Sequence, residues 1–186
     1  MIGDTGAVHQ VIVASGHLVD TPDRSVPRFP DERVPWVTGQ VEAIFDEWQV
    51  TASTTLICGG ARGADIIAAE AALARGARIV LCLALPPDRF IEQSVDLPDT
   101  DWVTRFRRLL AVADVRELRD PPAGDAVFAR TNEWIVDLAR STHPEPRALL
   151  IWNGQAGDGA GGTADMMDRL GCDRDDPRIR VVDPTP

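Results

Sequence analysis

Three short runs in this 186-residue chain carry residue types that could hold an anion. The first is Ser15-Gly16-His17. The second is Cys58-Gly59-Gly60-Ala61-Arg62-Gly63, followed by Ala64-Asp65. The third is Gly157-Asp158-Gly159-Ala160-Gly161-Gly162-Thr163. Each follows an apolar run and precedes a loop or helix. Glycines let a ligand approach the backbone, and amides exposed at a helix N-terminus favour a negative group, most often phosphate. Arg62 could clamp such a group bidentately, or pair with Asp65 one turn on. Asp65 could accept from a ribose hydroxyl, or act as a first-turn acid favouring the helix N-terminus. His17 could donate to an anion, do acid–base work, or cap loop backbone.

Other side chains gather around these runs. Asp20, Arg24 and Arg28 lie in a proline-rich stretch, residues 18–35, long enough to be a lid or a solvated insertion. Gln93 and Ser94 could read a base edge. Trp152 could stack on a base, though a Trp ending a buried strand is more often core. Glu70, Asn132 and Glu133 read as helix-face polar groups. No acid–base pairing is recognisable; Asp165 and His17 are the candidates if chemistry occurs.

The elements that must position these groups alternate. Apolar runs at residues 8–15, 78–85, 115–118, 147–152 and 179–182 read as strands, and Leu56 and Ile57 end another short apolar run that reads as a buried strand. Helical periodicity covers residues 36–50, 64–75, 102–113, 126–140 and 163–170. In residues 36–50, Val37, Val41, Ile44, Phe45 and Trp48 make one apolar face. Alternation at this spacing implies right-handed crossovers and a Rossmann-like three-layer αβα domain with a mostly parallel sheet of five to six strands. In such sheets ligands bind at the C-terminal strand ends. None of the turns fits the G-x-G-x-x-G dinucleotide pattern, so NAD bound in the ordinary manner is disfavoured.

Composition bounds the partners. A formal net charge of -10 excludes duplex nucleic acid as an expected ligand, because the phosphate term needs a basic face. All 19 basic residues are Arg, so neither a catalytic Lys nor a Lys-based Walker loop is available. Three cysteines without a CxxC pair make a zinc site unexpected, and no cofactor is expected. No apolar run approaches the ~18 residues that span a membrane, and residues 1–6 lack a basic and apolar leader. A cytoplasmic location is the expectation.

Strand–CGGARGAD–helix, the late run from Trp152 through Asp165, and the opening run from Ala14 through Pro30 together resemble the SLOG superfamily, which groups DprA-like and LOG-like Rossmannoid proteins. The opening is similar to a subgroup in bacterial multidomain signalling proteins. The resemblance spans nearly the whole chain as one domain and implies binding of a nucleotide or nucleotide-derived signal. It implies contacts from Ser15, Gly16, His17, Arg24, Gly59, Gly60, Ala61, Arg62, Gly63, Asp65, Gly161, Gly162 and Thr163. Self-association or a signalling partner protein would transmit the signal. Some members hydrolyse nucleoside phosphates, and LOG enzymes carry P-G-G-x-G-T-x-x-E, whose acid helps break a glycosidic bond. Here Asp158 replaces the proline, Ala160 a glycine and Met166 the acid, with Asp165 one residue earlier. The expectation is a binding module; the alternative is a LOG-like hydrolase.

Overall fold

The computed structural model describes residues 9–155 and 161–185. Six strands form one sheet: β1 (Gln10–Gly16), β2 (Thr54–Cys58), β3 (Arg78–Leu83), β4 (Asp114–Glu117), β5 (Arg147–Ile151) and β6 (Ile179–Val182). Their order is β4-β3-β2-β1-β5-β6 and every neighbouring pair is parallel. The sheet is therefore wholly parallel, a stricter arrangement than the mostly parallel one expected. β6 and β4 lie at the two edges.

Helices cover both faces. On one lie α1 (Val34–Glu47), α2 (Ala64–Ala74), a short α3 (Pro87–Phe90) and α4 (Trp102–Leu110); on the other, α5 (Ala126–Thr142) and α6 (Thr163–Leu170). Alternating strand residues feed the two cores. Ile12, Leu56, Leu81 and Leu149 face the first group, while Val11, Val13, Ile57, Val80 and Leu150 face the second. That alternation is the pleat of a sheet covered on both sides. In α1, Val37, Val41 and Phe45 recur every four residues and are fully buried. α2 is buried nearly all round, and its alanines let it lie under both α1 and α4. Asp101 precedes α4 without capping it through its side chain. Gly171 ends α6 in the left-handed region at φ 60°, where glycine costs least.

The strand order reverses beside β1. The chain runs outward from β1 to β4, then crosses the sheet through α5 to β5 on the other side of β1. Connections leaving β1 and β5 go to opposite faces, and the gap they leave is the place where open α/β sheets take ligands. Among the described residues, no helix is long and apolar enough to cross a membrane.

Candidate functional site

A cavity of about 460 Å³ opens at that reversal point. It falls within the ~300–1,000 Å³ typical of small-molecule sites. Its walls come from three directions. Ser15, Gly16 and His17 continue from β1, Gly59, Ala61, Arg62 and Asp65 belong to the turn between β2 and α2, and Gly161, Gly162 and Thr163 open α6. Arg24, Arg28, Gln93 and Ser94 also line it, together with Thr131 and Asn132 of α5. Gly157 and its neighbours up to Ala160, including Asp158, lie outside the described residues.

Gly60 and Gly63 shape the turn without lining the cavity. Both have positive φ, 86° and 88°. A Cβ on Gly60 would meet the Phe106 ring at 3.1 Å, and one on Gly63 would lie 2.8 Å from the Val19 nitrogen. Gly16 is needed for close packing, since a Cβ there would lie 2.6 Å from the Ala64 Cβ.

The amides of the central turn do converge on an anion, but it is the protein's own. Ala61 N–H donates to Asp65 Oδ2 at 3.2 Å, and the backbone of Gly59 and Gly60 also helps to hold the carboxyl's pKa down. The Arg62 amide goes to Ser94 O at 3.0 Å and the Ala64 amide to His17 O at 3.3 Å. Asp65 is only 8% exposed. Burial pushes its carboxyl up to about 7, against the downward pull of these backbone groups.

Arg62 lines the cavity, and its side chain also makes bonds that its position did not suggest. Its Nε donates to Val19 O at 3.0 Å and an Nη to Asp96 O at 3.2 Å. It thereby straps the loop after β1 to the segment after the Ile91–Val95 π-turn. It makes no ion pair with Asp65. Burial lowers its pKa, with Asp96 and Asp20 opposing.

The loop after β1 is folded, not loose. Val19 and Phe29 are fully buried, and Asp20 closes the loop by accepting from the Arg28 and Phe29 amides at 2.8 and 2.9 Å. Arg24 sits 3.4 Å from Asp20. Both Arg24 and Arg28 remain on the cavity wall.

His17 is 6% exposed, and burial holds its imidazole below the usual histidine value, more than the Asn153 hydrogen bond raises it. Its Nε2 lies 2.9 Å from Asn153 Oδ1. That oxygen also accepts from the Gln155 amide, so Nε2 carries the hydrogen and Nδ1 is an acceptor in the neutral ring.

Asp165 does not line the cavity. Its carboxylate takes Asn132 Nδ2 at 2.9 Å and Arg169 Nε at 2.9 Å. Glu70 pairs with Arg105 at 2.6 Å between α2 and α4, away from the site. Trp152 is buried, donates to Gln155 O and carries the Arg174 guanidinium over its ring at 4.5 Å, which leaves it off the cavity wall.

Asn132 corrects the sequence reading. It is 7% exposed, not on a solvated face, and its Nδ2 also holds Gly161 O at 2.8 Å and Gly162 O at 3.2 Å. It thus fixes the backbone entering α6. Thr131 and Phe128, one residue and one turn away, were likewise missed as wall residues. The only signal was a polar pair, Thr131-Asn132, interrupting an apolar helical face.

The first-turn amides of α6, residues 163–165, precede the first intrahelical acceptor bond, which joins Met166 N to Gly162 O. They and the two loop arginines are the groups that suit an anion here. No protein-family model matches the chain, and no curated protein matches it.

Proposed function

We propose that this domain binds a nucleotide or nucleotide-derived anion in the cavity at the C-terminal strand ends. It would serve as a SLOG-like sensor module in cytoplasmic bacterial signalling, read out through self-association or a partner protein. The observation that carries this reading is the convergence of three turns, distant in sequence, on one cavity of about 460 Å³. The anion is expected at the N-terminus of α6, where first-turn amides and the dipole favour negative charge, with Arg24 and Arg28 closing from the loop. The neutral end of the ligand then meets Phe90, Gln93, Ser94 and Phe128.

Binding without turnover is favoured over hydrolysis. A general acid or base must reach the scissile bond. Asp165 is engaged by Asn132 and Arg169 outside the cavity wall, and Met166 occupies the position where LOG enzymes carry their acid. The test is a thermal-shift panel of AMP, NAD and cyclic nucleotides, with released base followed by mass detection. Stabilisation without released base supports a sensor. Released base, lost in Asp165→Asn, would establish the hydrolase instead.

A further inference from the structure

The central turn poses a question of chemistry. Its Ala61 amide is already spent on the Asp65 carboxyl, and the Arg62 and Ala64 amides are spent on Ser94 O and His17 O, so few of its backbone donors remain for a phosphate. What the turn offers the cavity is instead the carboxyl itself. We infer that Asp65 reads a hydroxyl of the ligand, and that the ligand class is a ribose-bearing anion as distinct from its deoxyribose counterpart. This rests on the nucleotide reading above and deepens it.

The geometry supports a donor on the ligand at this wall. A carboxylate has about four lone-pair directions, and the Ala61 amide bond leaves capacity for a further donor. The carboxyl is more than nine-tenths buried and pinned from behind, so it accepts without having to be ordered on binding. A phosphate against Asp65 would set two negative groups in a poorly solvated space, whereas a hydroxyl meets a ready acceptor. The anionic and hydroxyl ends of the ligand then separate naturally. β5 and β2 flank β1, so the α6 wall and the Asp65 wall stand two strand spacings apart, ~10 Å.

The other charged or titratable groups facing this space, among the described residues, are His17, Asp20, Arg24, Arg28, Arg62 and Asp125. The thiols of Cys58, which donates to Asp65 O at 3.9 Å, and of Cys82 on β3 are held neutral by burial. A hydroxyl accepted by Asp65 favours the ionised carboxyl, so binding expels a proton near neutral pH; a phosphate beside it would draw one in.

The experiment is calorimetric titration of the full chain with the four ribonucleoside 5′-monophosphates and their 2′-deoxy and 3′-deoxy counterparts. For the ribonucleotide that binds, removing one hydroxyl should weaken affinity on the order of 10- to 100-fold. In Asp65→Asn that gap should narrow to about threefold or less. Should Asp65→Asn fail to fold, the wild-type proton count decides, taken in two buffers of different ionisation enthalpy at pH 7. The ribonucleotide must release more protons than its deoxy counterpart, a difference that cancels the phosphate's own titration. Equal affinities for ribo and deoxy forms, a gap unchanged in Asp65→Asn, or equal proton counts would overturn the role of Asp65 and leave the nucleotide reading standing. Absence of binding by every nucleotide would overturn both.

Discussion

His17 Nε2 and Asn153 Oδ1 lie 2.9 Å apart, although 136 residues separate them in sequence. The bond joins the chain leaving β1 to the chain leaving β5, across the point where the strand order reverses. The His17 amide makes the same crossing by donating to Ile151 O at 2.9 Å. One side chain and one peptide thus fix the spacing of the two tips that frame the cavity.

The tie has a pH signature. His17 titrates below the ordinary 6.5 because burial disfavours the charged ring. The native state therefore binds fewer protons than the unfolded chain below about that pH. The stability this group contributes is present above 6.5 and falls as pH drops through the folded value. NMR titration of the imidazole should place its midpoint under 6.5. Asn153→Ala, which removes the bond that raises it, should move the midpoint lower still.

Asp65 behaves in the opposite sense. Its folded value, about 7, lies above the ordinary 3.8, so the native state holds a proton that the unfolded chain has lost. Its contribution is complete below pH 4 and is lost as pH rises to 7, a span worth up to ~4 kcal/mol by linkage. Urea melts of Asp65→Asn should show a flatter stability profile between pH 5 and 8 than wild type. Parallel profiles would mean that Asp65 is already ionised without penalty. A buried carboxyl that costs stability at neutral pH is the pattern of a group retained for function.

Arg62 should act on loops before it acts on ligand. Its guanidinium holds Val19 O and Asp96 O, both on segments that wall the cavity. Arg62→Ala should cost ~1–3 kcal/mol, since charged donors to carbonyls lose more than neutral ones. Hydrogen exchange should quicken in residues 18–30 and 91–97 while β2 and β3 stay protected. Arg62→Lys should restore little, because one ammonium cannot span two carbonyls set for a planar fork. Uniform exchange across the protein in Arg62→Ala would remove the strap.

Asn132→Ala should loosen the entry to α6. The carbonyls of Gly161 and Gly162 and one side of Asp165 lose their shared donor. Stability should fall by ~1–3 kcal/mol and nucleotide affinity by about tenfold. Asn132→Asp should be worse, because it sets a second carboxylate against Asp165 and two carbonyl oxygens.

Much of the layout was legible from the residues, and the reason is periodicity. β6 and α6 fall on the expected bounds, and the other expected strands and helices end within a few residues of theirs, because burial imposes a period of 2 or 3.6 on the sequence; α3 and the Ile91–Val95 π-turn are too short to show such a period and were not expected. Composition does not reveal which partner a polar group finds across the fold. Arg62 and Asp65 sit three apart, which suggested a pair, yet the turn bends Arg62 toward Val19 and folds Asp65 back on its own amides. Glycines announced a nest of amides, but could not say that a carboxyl four residues on would fill it. Asn132 looked solvated because its partners lie about thirty residues later.

The central claim is that separate strand tips act as one receptor for an anionic nucleotide. Amide NMR of the full chain, titrated with AMP, GMP, CMP, UMP, NAD and cyclic AMP, tests it most directly. For at least one of these, resonances of Ser15, Gly16, Gly162 and Thr163 should move together along a single binding isotherm. Unmoved resonances at these four residues with every ligand, or shifts confined to surface arginines, would contradict it.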